Sequence, residues 1–409
     1  MRFLLPALFV VCFSVLSTPA QTPAASAELA WTSLATGQAL PLTFHEPKNI
    51  KPGQPVAVIV YLMNLSAPRV GTESDEIIIN DFLAAGYLVA SVDFAHHVRA
   101  CVPFINRDLS KLRDDIRSKK LLERYIIDNA HVYLVPSGHR LLRDVVYFKN
   151  EKRTLALDVI YPSKPAQPVG TVLEFSCDNN DRMGNTSLSI CSDTLLDGEA
   201  TEGFAVAMAA HPVAAPYKGI DAMPDCAQKI KAAVRTVRAI GPKLGLSDKI
   251  VPVGFSRGSG MALMLVTTEN MSEFEGSGEH PDQKSTVQGA VVMSGRFTYM
   301  DLLPEDHMMP RYVAVWGERE SHREQWIRQG ALDYLRQKAV PLFLTINCTE
   351  SPDALHQMEV LRKRLTALGS EATFMLDPQP RGHKVTLVPE IQDAMNQYLH
   401  RQLEHSSVR

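Results

Sequence analysis

No sign of charge dominates this chain of 409 residues: 42 Lys and Arg stand against 45 Asp and Glu, a formal net charge of -3 at pH 7. That removes the basic field on which nucleic-acid binding depends and leaves no acidic tail for a cationic partner. Cysteine is sparse, six residues in all. With no CxxC spacing and no Cys/His cluster, the set argues against a structural zinc site, and no metal or cofactor is expected. Long apolar runs are scarce as well. Arg2, the mostly apolar Phe3–Leu16 and the small residues ending Thr18-Pro19-Ala20 have the three-part form of a secretory signal cut after Ala20. The run falls short of the ~20 residues that span a bilayer, and no second stretch is long enough. The expectation is an exported protein, periplasmic or extracellular, with residues 1–20 removed and no membrane span. Cys101, Cys177, Cys191, Cys226 and Cys348 then remain, an odd set that leaves at least one thiol free or paired between chains. Cys177 and Cys191 are close enough in sequence for a loop disulfide, and equally stand as two ordinary thiols. The composition points to a small-molecule partner and says nothing of oligomeric state.

What is present is apolar residue in quantity, 45% of the chain, enough for one large domain or two medium ones. From Thr154 onward, short apolar runs alternate with helical patterns, which predicts a mostly parallel sheet covered by helices. Strands are expected at Thr154–Tyr161, Thr171–Ser176, Phe204–Ala209, Ile250–Gly254, Gly289–Met293, Pro341–Asn347 and Thr373–Leu376. Ile230, Ala233, Val234, Val237 and Ile240 keep helical spacing on one face, as do Ile391, Met395, Tyr398, Leu399 and Leu403. Upstream, Val56–Leu62 and Tyr87–Asp93 read as strands around a helix at Glu76–Ala84, followed by a helix near Leu109–Tyr125 and a strand near Val132–Val135. This resembles a partial half-copy of the same α/β unit over residues 21–139, placed before a full copy over 140–409. Pro136-Ser137-Gly138-His139 in the half-copy lacks flanking glycines and is read as structural.

Gly254-Phe255-Ser256-Arg257-Gly258 carries the chemistry. A serine hydroxyl is a poor nucleophile unless it is exposed, oriented and relieved of its proton during attack. The Gly-x-Ser-x-Gly turn between the strand Ile250–Gly254 and the apolar helix from Gly260 forces the serine outward, the strand–elbow–helix of the α/β-hydrolase fold. In that fold the order is Ser, acid, His. His383, in Arg381-Gly382-His383 after the last strand, is the expected base. Glu350 and Asp353 both lie in the loop after Pro341–Asn347, where the acid belongs; either also suits the start of the next helix, a role Asp353 fits better. His280, His307, His322 and His356 lack such a setting. Trp316 and Trp326, within Phe297–Arg336, are read as core packing before sugar stacking.

From Leu157 onward the chain resembles the lipase-like carbohydrate esterases related to acetyl-xylan and feruloyl esterases. The likeness rests on Leu157-Asp158-Val159-Ile160-Tyr161-Pro162, the elbow, Phe274-Glu275-Gly276-Ser277-Gly278-Glu279-His280-Pro281-Asp282 leading into Val287–Val292, Gln357–Gly369, and Gly382-His383. The resemblance implies a serine carboxylic-ester hydrolase acting on acyl esters of carbohydrates. Counting back from Gln357 in the family's spacing selects Glu350 as the acid, with Asp353 as the alternative. The chain departs from the family where His-Gly-Gly-Gly is usual: here Phe175 precedes Ser176-Cys177-Asp178-Asn179-Asn180. The oxyanion donors are then expected from the backbone of Cys177 or Asp178 together with the Arg257 N–H. The acid loop likewise reads Asn347-Cys348-Thr349-Glu350 in place of His-Gly-x-x-Asp. Those departures motivate a competing reading, a weakly active or non-catalytic binding protein on a hydrolase scaffold. A serine peptidase of the same fold is a third, set back by an N-terminal half that reads as α/β and not as a propeller.

Overall fold

Strands buried on both faces read as unbroken apolar runs, and VAVIVYLM at Val56–Met63 and AVAMA at Ala205–Ala209 are of that kind. In the computed structural model such strands build two sheets. It describes residues 27–32, 37, 39–51, 53–63, 73–93, 102–118, 121–175, 204–210, 212, 225–384 and 388–404. The leader at 1–20, the expected oxyanion residues Cys177 and Asp178, and Cys101 and Cys191 lie outside the described residues.

The first sheet contains β1 (Ala27–Thr32), β2 (Ala39–His45), β3 (Val56–Met63), β4 (Leu88–Asp93) and β5 (Ile127–Pro136) in the order β1-β2-β4-β3-β5. Strands β3, β4 and β5 run parallel, connected through α1 (Asp75–Ala84) and α2 (Val102–Arg117). Helix α2 begins and ends earlier than the spacing predicts. Leu109, Leu112 and Ile116 are its buried face, whereas Leu122 and Tyr125 reach the same core from a turn beyond its end. The chain enters the second sheet through Ser137 and Gly138.

That sheet has eight strands: β6 (His139–Lys149), β7 (Thr154–Pro162), β8 (Val169–Phe175), β9 (Ala205–Ala209), β10 (Leu246–Phe255), β11 (Ala290–Met293), β12 (Leu342–Asn347) and β13 (Ala372–Asp377). Their order is β13-β12-β11-β10-β8-β9-β7-β6, parallel from β13 to β9 and antiparallel through β7 and β6. All seven strands expected from Thr154 onward are present.

Successive strand residues point to opposite faces, and this divides the core in two. Ile250, Ala290, Val292, Leu342 and Leu344 face α3 (Asp225–Leu244) and α4 (Arg257–Thr267), whose Ile230, Ala233, Val234, Met261 and Leu265 pack against them. Val251, Val253, Val291 and Phe343 face the other way, toward α8 (Pro389–Leu403). On that second face the N-terminal half contributes Ile59, Tyr61, Ile78, Phe82, Val89 and Tyr133 to the same cluster. Polar links cross the junction as well: Tyr133 donates to Asp158 at 3.1 Å, and Arg140 reaches Glu73 at 2.7 Å.

The block Phe274–Asp282 has a clear structural reason. Lys231 and Arg235, both buried on α3, donate to opposite oxygens of Glu275 at 2.8 and 2.9 Å. Arg235 also donates to the Ser277 carbonyl at 2.6 Å, and Ser285 to Glu275 at 2.5 Å, so the loop is fastened to the helix by its charges. Burial pushes the Glu275 carboxyl up, but hydrogen bonds from Lys231 and Ser285 and the two cations outweigh it and hold the group below 4.5. Replacing Glu275 by Gln leaves two buried cations unmatched and should cost about 3 kcal/mol in a urea titration, trimmed because the carboxylate is partly exposed. The sign with pH follows from the depressed value: the stabilisation is full above about pH 4.5 and is lost as pH falls further, so the gap between wild type and Glu275→Gln should narrow there.

Candidate active site

Strand β10 ends at Phe255 and α4 begins at Arg257, leaving Ser256 alone to make the turn, with φ 57° and ψ -119°. A side chain on Gly254 would overlap the Gly258 carbonyl and lie 2.5 Å from the Ser259 nitrogen, and one on Gly258 would lie 2.5 Å from the Phe175 carbonyl. Only glycine at both positions lets the helix start so close to the sheet. The Ser256 N–H is held by the Met293 carbonyl at 3.0 Å, so the strained residue is tied to β11 as well.

The loop after β13 brings His383 over this turn, with Nε2 3.0 Å from Ser256 Oγ. Its Nδ1 lies 2.6 Å from Glu350 Oε2. The imidazole is half-exposed and the carboxylate is buried. The other oxygen of Glu350 accepts the Ser351 N–H at 2.9 Å, and Oε2 also accepts the Ser294 hydroxyl at 2.9 Å. Burial works to raise the Glu350 carboxyl, but the bonds from His383, Ser351 and Ser294 together hold it below 4.5. It is therefore ionised and can only accept, which assigns the Nδ1 proton to His383.

Asp353 faces elsewhere. It sits in the first turn of α7 (Pro352–Ala367), 3.4 Å from Arg296 and 2.8 Å from His307 Nδ1. The residue capping that helix is Ser351, whose hydroxyl accepts the Ala354 N–H at 3.3 Å. Asp306, His307 and Asp353 have ligand-type atoms within 4.8 Å of one another. The guanidinium of Arg296 already pairs with Asp306 at 3.1 and 2.9 Å, and a cation there would face that fixed positive charge.

Three residues of the site escape sequence reasoning. Asn347 accepts the backbone N–H groups of Thr349 and Gly382 at 2.9 and 3.2 Å and donates to Gln379 at 2.6 Å, pinning the Glu350 loop to the His383 loop. Phe255 packs its ring 4.5 Å from the His383 ring. Ser294 is the third. A polar residue closing a buried strand, as Asn347 does for β12, is the signal that points to such a role.

Where the first sheet hands over to the second, the Ser137 hydroxyl donates to Asp75 at 2.7 Å, and His139 Nδ1 lies 3.0 Å from the Ser137 carbonyl. Trp316 and Trp326 are buried edge to face at 5.4 Å beside Tyr299 and Tyr312, and the Trp326 indole donates to Gly317 at 3.0 Å. Both are core residues, on the short helices α5 (Met309–Trp316) and α6 (Arg323–Gln329). Of the expected oxyanion donors, Arg257 is the first residue of α4.

The sheet order and the elbow define an α/β-hydrolase fold. Within it the chain resembles esterases: residues 179–354 match the BD-FAE family, a stretch that contains Ser256 and Glu350 and stops before His383. Among solved structures it is similar to a truncated carbohydrate esterase from gut microbiota, at 18% identity and a TM-score of 0.53, over 64% of this chain and 96% of that one. It is similar too to a bifunctional GH43-CE protein of Bacteroides eggerthii, at 19% identity and a TM-score of 0.54, over 64% of this chain but 38% of that one. A third is the native thermophilic esterase Est2 of Thermogutta terrifontis, at 16% identity and a TM-score of 0.50, over 66% of this chain and 95% of that one. No curated protein matches. At these identities the structures establish a fold shared with ester hydrolases. Among the described residues no helix is long and apolar enough to cross a membrane.

The elbow's geometry separates two glycines of one short segment. Gly254→Ala should lower stability by about 3 kcal/mol in a urea titration, because backbone has to move. Gly260→Ala, whose added carbon meets nothing nearer than the Arg296 carbonyl at 3.6 Å, should change it by less than about 1 kcal/mol.

Proposed function

We propose that the protein is a serine carboxylic-ester hydrolase in which Ser256, His383 and Glu350 act as nucleophile, base and acid. The observation that carries this reading is the single imidazole lying 3.0 Å from the Ser256 hydroxyl on one side and 2.6 Å from an ionised, buried carboxylate on the other. Ser256 Oγ attacks the ester carbonyl while His383 Nε2 takes its proton. Glu350 holds Nδ1–H and stabilises the imidazolium that forms. The Arg257 N–H, with a donor from the Ser176–Asn180 loop such as Cys177 or Asp178, holds the oxyanion. Collapse of the tetrahedral intermediate expels the alcohol, which receives the proton from His383. Water then attacks the acyl-enzyme with the same imidazole as base, releasing the acid and restoring Ser256.

The BD-FAE match and the carbohydrate esterases among the similar structures support an acyl ester of a carbohydrate as substrate. The signal-like pattern of residues 1–20 supports export. The half at 21–139 is read as structural, because the Ser137 hydroxyl is committed to Asp75 and its core is continuous with one face of the main sheet.

With a short-chain aryl ester, Ser256→Ala should lower kcat/KM by at least about 10,000-fold, and Glu350→Gln by roughly 1,000- to 10,000-fold. Asp353→Asn should stay within a few-fold of wild type. Equal hydrolysis by wild type and Ser256→Ala, or none by either, removes the enzyme reading in favour of a binding protein. Because Glu350 is held below 4.5, its own protonation should erode activity only beneath about that pH.

A further inference from the structure

Glu350 Oε2, the oxygen that accepts from His383, has a second donor whose position is unusual. The Ser294 hydroxyl lies 2.9 Å away, and the residue is 2% exposed, so bulk water does not compete for the bond. Ser294 follows β11 directly and holds φ at 56°, a conformation uncommon and costly for a residue with a side chain. Two backbone hydrogen bonds hold it. The Ser294 N–H donates to the Thr345 carbonyl of β12 at 3.1 Å. The Ser294 carbonyl accepts from the Ser259 hydroxyl, which also lies 2.5 Å from the carbonyl of Ser256 and shares its one proton between them. Gly295 follows with φ 135°, and any side chain there would overlap Ser259 Oγ and lie 2.8 Å from the Ser256 carbonyl. One residue thus meets the acid through its side chain and the elbow through its backbone.

The chemistry of the bond has a fixed direction. An ionised carboxylate is acceptor-only, so Ser294 donates and directs its proton at Glu350. With Ser351 N–H on Oε1 and both Ser294 and His383 on Oε2, the carboxylate is held by three donors and cannot turn about its last bond without losing some of them. A hydroxyl used only for filling space does not need a strained backbone to aim it.

Resting on the serine-hydrolase reading above, we propose that Ser294 is a positioning residue. Its hydroxyl fixes the Glu350 carboxylate so that His383 is presented squarely to Ser256, and its backbone sets the acid at a constant distance from the elbow.

The test compares Ser294→Ala and Ser294→Gly in the full chain. Both remove the hydroxyl, but glycine also relieves the positive φ, so it should fold at least as stably as wild type. The expected result is a kcat lowered by about 10- to 100-fold in both variants, as a misplaced catalytic group costs, with KM within about twofold. The His383 Nδ1 proton, read by NMR in the resting protein, should broaden through faster exchange with water in both. Wild-type kcat in the glycine variant together with an unchanged Nδ1 resonance overturns the proposal and leaves Ser294 a packing residue. If wild type itself hydrolyses no ester, or does so no better than Ser256→Ala, the serine-hydrolase reading falls, while the resonance still reports whether Ser294 holds the pair.

Discussion

The approach of α4 to the end of β10 is closer than any side chain permits, and the rest of the site is arranged around that closeness. With Gly254 and Gly258 stripped to backbone, the helix starts one residue after the strand stops, and Ser256 is driven out at φ 57°. A serine held so rigidly can be met only by partners that are themselves fixed. The parallel order β10-β11-β12-β13 supplies them in sequence, since the loops leaving the carboxyl ends of β11, β12 and β13 carry Ser294, Glu350 and His383 to the same edge of the sheet.

The N-terminal half answers the same demand for covered surface. A doubly covered sheet needs apolar material on both faces. Helix α8 covers only part of the second face, and Ile59, Tyr61 and Tyr133 of the smaller sheet, with Phe82 of α1, extend that cover. Its polar motif at Ser137 lies at the seam, where Gly138 N–H donates to the Tyr61 hydroxyl at 2.9 Å and Ser137 to Asp75. These bonds tie the connector between the two sheets to β3 and α1.

Much of this is legible in the sequence because buried parallel strands announce themselves as apolar runs and the elbow as two glycines around a serine. His383 is legible through its place after the last strand. The carboxylate is legible only through the family spacing that selects Glu350, because in the residues alone Glu350 and Asp353 are three positions apart in one loop; the fold turns the first toward His383 and pairs the second with Arg296. Ser294 is hidden for another reason: its partner is 56 residues away, and no local pattern marks the pair. Strands β1 and β2 escape because Pro41 lies inside β2 and argues against a paired strand. Leu40, Leu42 and Phe44 nonetheless alternate inward around it. Trp316 and Trp326 read as core packing ahead of sugar stacking, and the four-ring cluster they form with Tyr299 and Tyr312 buries both.

His383 follows β13, which among the described residues is an edge strand paired along one side, with Ala372, Thr373 and Leu376 open to solvent. Among the described residues, the loop beyond it is fastened to the neighbouring strand chiefly through Asn347 and Thr349. Ser256, by contrast, stands at the end of β10 in the middle of the sheet. Edge strands open at lower free energy than central ones, so the two ends of the proton relay differ in durability. On the serine-hydrolase proposal, fraying at this rim parts the imidazole from the serine while the sheet beneath is still whole.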